Sequence, residues 1–133
     1  MTREIKFRGK NKKNGEWFYG NLYDKDISGR THICTTKKGC LDIDPDTVGQ
    51  FTGLLDKNGK EIYEGDIIRS YDSENNPIIH SISWDNNKAC YVATMLQYPL
   101  LCGSVDKSWI DEFEKEVIGN IHDNPELLKG GAE

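Results

Sequence analysis

The chain alternates between short stretches of apolar and polar positions and clusters of turn residues, a pattern that predicts antiparallel β-structure. From residue 3 to residue 9 the alternation is strict, with Ile5 and Phe7 on one face and Glu4, Lys6 and Arg8 on the other. This is the period of a strand buried on one side, its charged face turned to water. Asn14-Gly15 offers the positive φ angles of a tight hairpin turn and Trp17-Phe18-Tyr19 follows as the returning strand, so residues 3 to 22 are expected to form one hairpin. A smaller hairpin is expected from residues 32–36 and 40–43 around Lys38-Gly39. Asp44-Pro45-Asp46-Thr47 has the pattern of a helix start, with an acidic cap and proline at the first helical position, and predicts one helical turn.

Residues 48–54 read as a further strand, and Asn58-Gly59 as a second Asn-Gly turn. Gly65-Asp66 then leads into the β-branched strand Ile67-Ile68-Arg69-Ser70-Tyr71. After Asn75-Asn76-Pro77, Ile78, His80, Ile82 and Trp84 share one face and Ile79, Ser81 and Ser83 the other; Asp85-Asn86-Asn87-Lys88 turns the chain back into residues 89–95. Residues 97–108 read as a long loop, 107–115 as a helical turn or short strand, and 116–122 as a closing strand. Asn124-Pro125 predicts a second capped turn, and residues 130–133 a frayed tail. The likeness between residues 13–22 and 57–67 reflects repeated turn chemistry rather than a duplicated domain. Ile62, Ile67, Val117 and Ile121 are the expected core of the second half. The whole is mainly β, built of short antiparallel hairpins with one or two short helical turns.

Composition sets the scale: 133 residues suit one domain, and thirteen aromatics among them allow a modest core. No apolar stretch approaches the roughly 20 residues of a membrane helix, and the start of the chain lacks a signal-peptide segment, which places the protein in the cytoplasm, away from membranes. Cys34, Cys40, Cys90 and Cys102 form no CxxC pair and are expected as free thiols in that reducing compartment. The net charge of −5 is unevenly spread. Residues 1–15 hold six basic residues against Glu4 alone, whereas residues 105–133 hold three against eight acidic ones. Such polarity lets the chain ends attract each other, within one molecule or between subunits.

Three blocks together carry a family resemblance. They are Ile5-Lys6-Phe7-Arg8-Gly9, the run from Val48-Gly49-Gln50-Phe51-Thr52-Gly53-Leu54 through Asp56-Lys57-Asn58-Gly59-Lys60-Glu61-Ile62-Tyr63-Glu64-Gly65-Asp66-Ile67, and Val117-Ile118-Gly119-Asn120-Ile121 with Asn124-Pro125-Glu126-Leu127. In order and spacing the chain resembles the YopX family of phage and prophage proteins. The resemblance implies an N-terminal β-lobe over residues 1–50, a C-terminal small roll or barrel of the Src-homology-3 type over 51–123, and a capping turn and tail over 124–133, all within a single YopX-like domain. It implies a phage or prophage origin and a bacterial host, and it carries over no catalytic position.

The residues themselves point to binding rather than catalysis. Asp42, Asp44 and Asp46 alternate as the first ligands of a calcium loop do, but Thr47 stands where glycine is needed and Gly53 where the bidentate Glu belongs. His32, Cys34 and Cys40 would offer three zinc ligands with no fourth. His80 reads as a core or rim histidine and His122 as a solvated one. Ser104 sits in no nucleophile elbow, and the glycines punctuate turns rather than cradle phosphates. No enzyme activity, cofactor or metal is therefore expected. The surface with binding potential is the first hairpin, where Lys6, Arg8, Lys10, Lys12 and Lys13 stand near Trp17. Protein contacts, either a homo-oligomer or a host or phage protein, are the first expectation; a nucleic acid held by those cations is the alternative.

Overall fold

The computed structural model describes residues 4–98 and 102–129. The chain divides into two compact units, one ending at Gly53 and one beginning at Leu54. Strands β1 (Phe7–Asn11), β2 (Trp17–Tyr23), β3 (Thr31–Thr35) and β4 (Gly39–Leu55) build the first, and β4 runs on into the second. The second holds β5 (Glu61–Tyr63), β6 (Asp66–Tyr71), β7 (Pro77–Asp85), β8 (Cys90–Met95), β9 (Cys102–Ser104), helix α1 (Lys107–Asp111), β10 (Glu116–Asn120) and a 3-10 turn at Pro125–Leu128. The protein is mainly β, and every strand pairing is antiparallel where its register is defined.

In the first unit β1 pairs with β2 on one side and with β4 on the other, while β3 joins β2 to β4. Each of the four strands thus has at least two neighbours, β4 having β5 as a third, and the β1–β4 pairing closes the four on themselves. Phe18, Ile33 and Ile43 fill the interior, with Phe7, Leu22, Leu41 and Val48 packed against them. Gly9 faces this core, where an added Cβ would fall 2.3 Å from Ile43 Cγ2, so β1 lies too close to β4's side chains for any larger residue.

The structure corrects three expectations in this unit. The first strand begins only at Phe7, leaving Ile5 exposed ahead of it. Arg8, expected on a wet face, is only 5% exposed, because Trp17 from β2 lies over its guanidinium, 4.8 Å from Cζ to the ring centroid. Asp44-Pro45-Asp46-Thr47 forms no helical turn but a bulge of β4, since the register steps from Asp44 opposite Lys10 to Gly49 opposite Arg8. Thr47 holds the bulge by accepting from Lys10 N (2.9 Å) and donating to the Asp44 carbonyl (2.6 Å).

The second unit is a five-stranded sheet in the order β10-β6-β7-β8-β9, with α1 just before the last strand, β10. Of the helical turn or short strand expected over 107–115, the structure forms the helical turn. Ile62, Ile68, Ile82, Ala93, Ile110 and Val117 form its core. Strand β6, between β10 and β7, is buried on both faces, so adjacent Ile67 and Ile68 are both fully buried. The expected loop over 97–108 contains β9 and the start of α1, where Asp106 caps the helix by accepting from Trp109 N (2.9 Å). Ile121, expected in the core, is 39% exposed: a bulge between Val117 and Gly119 ends β10 at Asn120 and leaves Ile121 in the following turn. The tail at 130–133 and Arg3 lie outside the described residues.

One turn design recurs. At residues 26–30, 56–60 and 72–76, an aspartate Oδ1 accepts from the backbone N–H groups two and four residues on, at 2.8–3.0 Å. The fourth residue, Gly29, Gly59 or Asn75, carries the positive φ. Asn11 and Asp85 begin a variant one residue longer, with the positive φ at Gly15 and Ala89. Asn14 and Asn58 are not in the left-handed region, so the Asn-Gly pairs do not make the two-residue turns expected of them.

Candidate functional site

A groove of about 640 Å³ lies in the first unit, beside β2 and the turn joining β3 to β4. Trp17, Phe18 and Tyr19 line it from β2, Lys6 from the segment before β1, and Lys37 and Lys38 from the turn. Glu4 and Glu16 also border it, and Glu4 is paired to Lys6 at 3.5 Å. Lys38 Nζ stands 5.1 Å from the centroid of Phe18, whose ring is otherwise buried. The groove's wall depends on a close approach of strands: at Gly20 of β2 an added Cβ would meet the Cys34 carbonyl oxygen of β3 at 2.4 Å.

Cys34 and Cys40 are not free thiols. They face each other across the β3–β4 pair with Cα atoms 3.9 Å apart and are joined by a disulfide, which closes the turn bearing Lys37 and Lys38. Their sulfurs are thereby bonded to each other rather than offered to zinc. His32 instead meets Asp26 Oδ2 at 2.8 Å and packs edge-on to Tyr23. Asp26 lies well below the ordinary carboxylate range, chiefly through the Ser28 hydroxyl and then His32. Cys90 is a free thiol, and the Cys102 side chain lies outside the described residues.

Of the six positions expected to form a binding surface, the structure brings Lys6 and Trp17 to the groove. Arg8 and Lys10 lie at the Trp17 ring, Lys10 with its Nζ 5.9 Å from the centroid. Lys12 and Lys13 are exposed on the β1–β2 turn, outside the groove lining. Sequence reasoning missed Lys37 and Lys38, which stand far from the first hairpin in sequence and reach it only because β3 pairs with β2. The turn Thr35-Thr36-Lys37-Lys38-Gly39, two adjacent lysines at a hairpin tip, was the available signal.

The acidic residues of the middle block belong to the fold. Asp56 is buried and, besides its turn amides, accepts from Val117 N of β10 at 2.9 Å through Oδ2. Asp66, fully buried, accepts from Tyr63 N at 2.7 Å, and the Tyr63 hydroxyl donates to Glu61 at 2.9 Å. Lys57 N donates to the Lys115 carbonyl, so the 56–60 turn covers the outer edge of β10, while β9 at the other edge is three residues long. Among the described residues, no group of three or more His, Cys, Asp or Glu is placed to hold a metal ion.

The two units differ in charge: residues 1–53 carry ten Lys and Arg against seven Asp and Glu, a net +3, and residues 54–133 carry seven against fifteen, a net −8.

A two-unit, mainly β protein with a lysine-and-aromatic groove is thus defined by its own geometry. The YopX protein family model matches residues 6–129, and the chain belongs to that family. It is also similar to the crystal structure of protein EF1440 from Enterococcus faecalis, with 26% identity and a TM-score of 0.62 over 96% of this chain and 99% of that one. No curated protein matches. Among the described residues no helix is long and apolar enough to cross a membrane.

Proposed function

We propose that this chain is a non-enzymatic accessory protein of a phage or prophage, acting in the cytoplasm of the bacterial host by binding another protein or further copies of itself through the groove of the first unit. The observation that carries this reading is the gathering of lysines from two separate chain segments around aromatic rings, on a closed sheet with no unpaired strand to offer. The blunted edges of the second sheet favour side-chain docking over strand addition. The commitment of Asp56 and Asp66 to backbone N–H groups supports a binding role over catalysis by those acids. Cross-linking from Lys37 and Lys38 in host cells, read by mass spectrometry, is expected to join the groove to a protein chain; cross-links confined to other lysines refute the assignment. Thiol counting on protein taken from those cells without reductant tests the compartment, because the Cys34–Cys40 bond is foreign to a reducing cytosol.

Nucleic acid is the second reading, favoured by the exposed Lys12 and Lys13 on the β1–β2 turn. Against it, the Trp17 ring already has Arg8 over it, which removes ring surface that base stacking needs. Binding of single strands at about 50 mM salt with a log–log slope near −0.7 per phosphate contact supports this reading, and no binding there excludes it.

A further inference from the structure

The second unit carries a feature that fits the groove. Helix α1 ends at Asp111, Glu112 is extended, and Phe113 and Glu114 follow with φ of 55° and 38°. The left-handed region is rare for a bulky aromatic and for two non-glycine residues in succession, and such backbone persists only where its surroundings hold it. Here Lys115 holds it. Lys115 is buried, its ammonium donates to the Glu112 carbonyl, and it stands 4.6 Å from the Trp109 centroid and 5.9 Å from that of Phe113. The effect is to present Phe113, 57% exposed, on a fixed loop between the exposed carboxylates of Glu112 and Glu114. Phe113 is one of ten exposed large hydrophobic side chains among the described residues, and what sets it apart is the carboxylate on either side of it and the buried lysine behind it, which give it the form of an interface anchor.

We propose that the occupant of the groove is a second copy of this chain: the 111–114 loop of one copy enters the groove of the next, Phe113 against Tyr19, with Glu112 and Glu114 facing Lys37 and Lys38. The inference rests on the protein-binding role proposed above and names its partner. Charge complementarity carries it: locally the two carboxylates meet Lys37 and Lys38 in a groove whose acids are Glu4, paired to Lys6, and Glu16, and the units carry +3 and −8. Groove and loop are different patches, so two copies either exchange loops reciprocally about a two-fold axis or pass them head to tail into a ring or a filament.

Sedimentation velocity on the full chain tests it. The wild type is expected to associate at about 50 mM salt and to dissociate as screening rises toward about 0.5 M. Lys37→Glu with Lys38→Glu, and separately Glu112→Lys with Glu114→Lys, should each weaken self-association at least about tenfold, while an equal mixture of the two variants associates again, because each reversed loop meets a reversed groove. Phe113→Ser should weaken it similarly. All these side chains are exposed, and unchanged circular dichroism checks that the variants fold. Association that persists in both charge variants overturns this interface and leaves the protein-binding role standing through another surface. A wild type that stays monomeric at about 1 mM in low salt overturns the proposal. So does a groove that, in that monomer, takes a foreign acidic peptide or an oligonucleotide instead.

Discussion

Asp56→Ala should be among the most damaging single changes to an acidic side chain in this protein, and its cost can be worked from three bonds. Oδ1 accepts from Asn58 N and Lys60 N, both in exposed turn residues where water can substitute, so their loss costs little. Oδ2 accepts from Val117 N in the buried edge of β10, where nothing else in the turn replaces it, and an orphaned buried amide costs about 1–3 kcal/mol. With the charge-assisted share of the turn bonds added, the total is about 2–4 kcal/mol. Asp72→Ala is the control, since Asp72 begins the same turn with acceptors for Glu74 N and Asn76 N but makes no such long-range bond among its resolved contacts. Its cost should stay within about 1 kcal/mol. Urea unfolding followed by tryptophan fluorescence measures both, and amide exchange at Val117 should accelerate in Asp56→Ala alone. Equal destabilisation by the two variants would refute the idea that this carboxylate ties the 56–60 turn to β10.

Three further outcomes are expected. Ile67→Ala should cost about 2–5 kcal/mol, since Ile67 is fully buried, and Ile121→Ala less than about 1 kcal/mol, by denaturant titration. His80 is held down to about 4, first by burial and then by the charge of Lys115, against an ordinary 6.5. The unfolded chain therefore binds a proton in that window that the folded chain refuses, so stability falls as pH drops from about 6.5 to about 4, by at most about 3 kcal/mol, and His80→Phe should flatten the profile of urea midpoints. Cys34→Ser with Cys40→Ser should lose about 2 kcal/mol by the loop-entropy relation, and reductant should lower the wild type to match while leaving the double variant unchanged.

Much of the fold was legible because hairpins write themselves locally. Of the expected face Ile78, His80, Ile82 and Trp84, the alternation placed the middle of β7 correctly, with His80 and Ile82 buried, while Trp84 near the strand's end is 44% exposed. Asn-Gly and Asp-led clusters marked the turns, though not their type, because one residue more or less in a turn changes which position takes the positive φ. What failed depended on register across the sheet. Arg8 is buried by Trp17, which pairs beside it from another strand, and no period in residues 3–9 contains that fact. Cys34 and Cys40 become partners only once β3 and β4 align them opposite each other. The Asp44-Pro45 pattern suits a helix start equally well as a bulge, and the Lys10 amide awaiting Thr47 decides between them. The groove was half visible for the same reason: Lys6 and Trp17 belong to the first hairpin, whereas Lys37 and Lys38 reach it through pairing of distant strands.

The closed first sheet has a consequence for how the protein is made. β1 leaves the ribosome first and can pair with β2 at once, but its other neighbour is the stretch of β4 in which Gly49 and Gln50 meet Arg8 and Phe7. Closing so distant a pairing is slow, and until it happens β1 presents a bare strand edge to every other nascent chain. The synthesis of β4 is thus the step that seals the seam, and a pause or truncation just before residue 43, which removes every β4 residue paired to β1, would leave an open ribbon prone to aggregate.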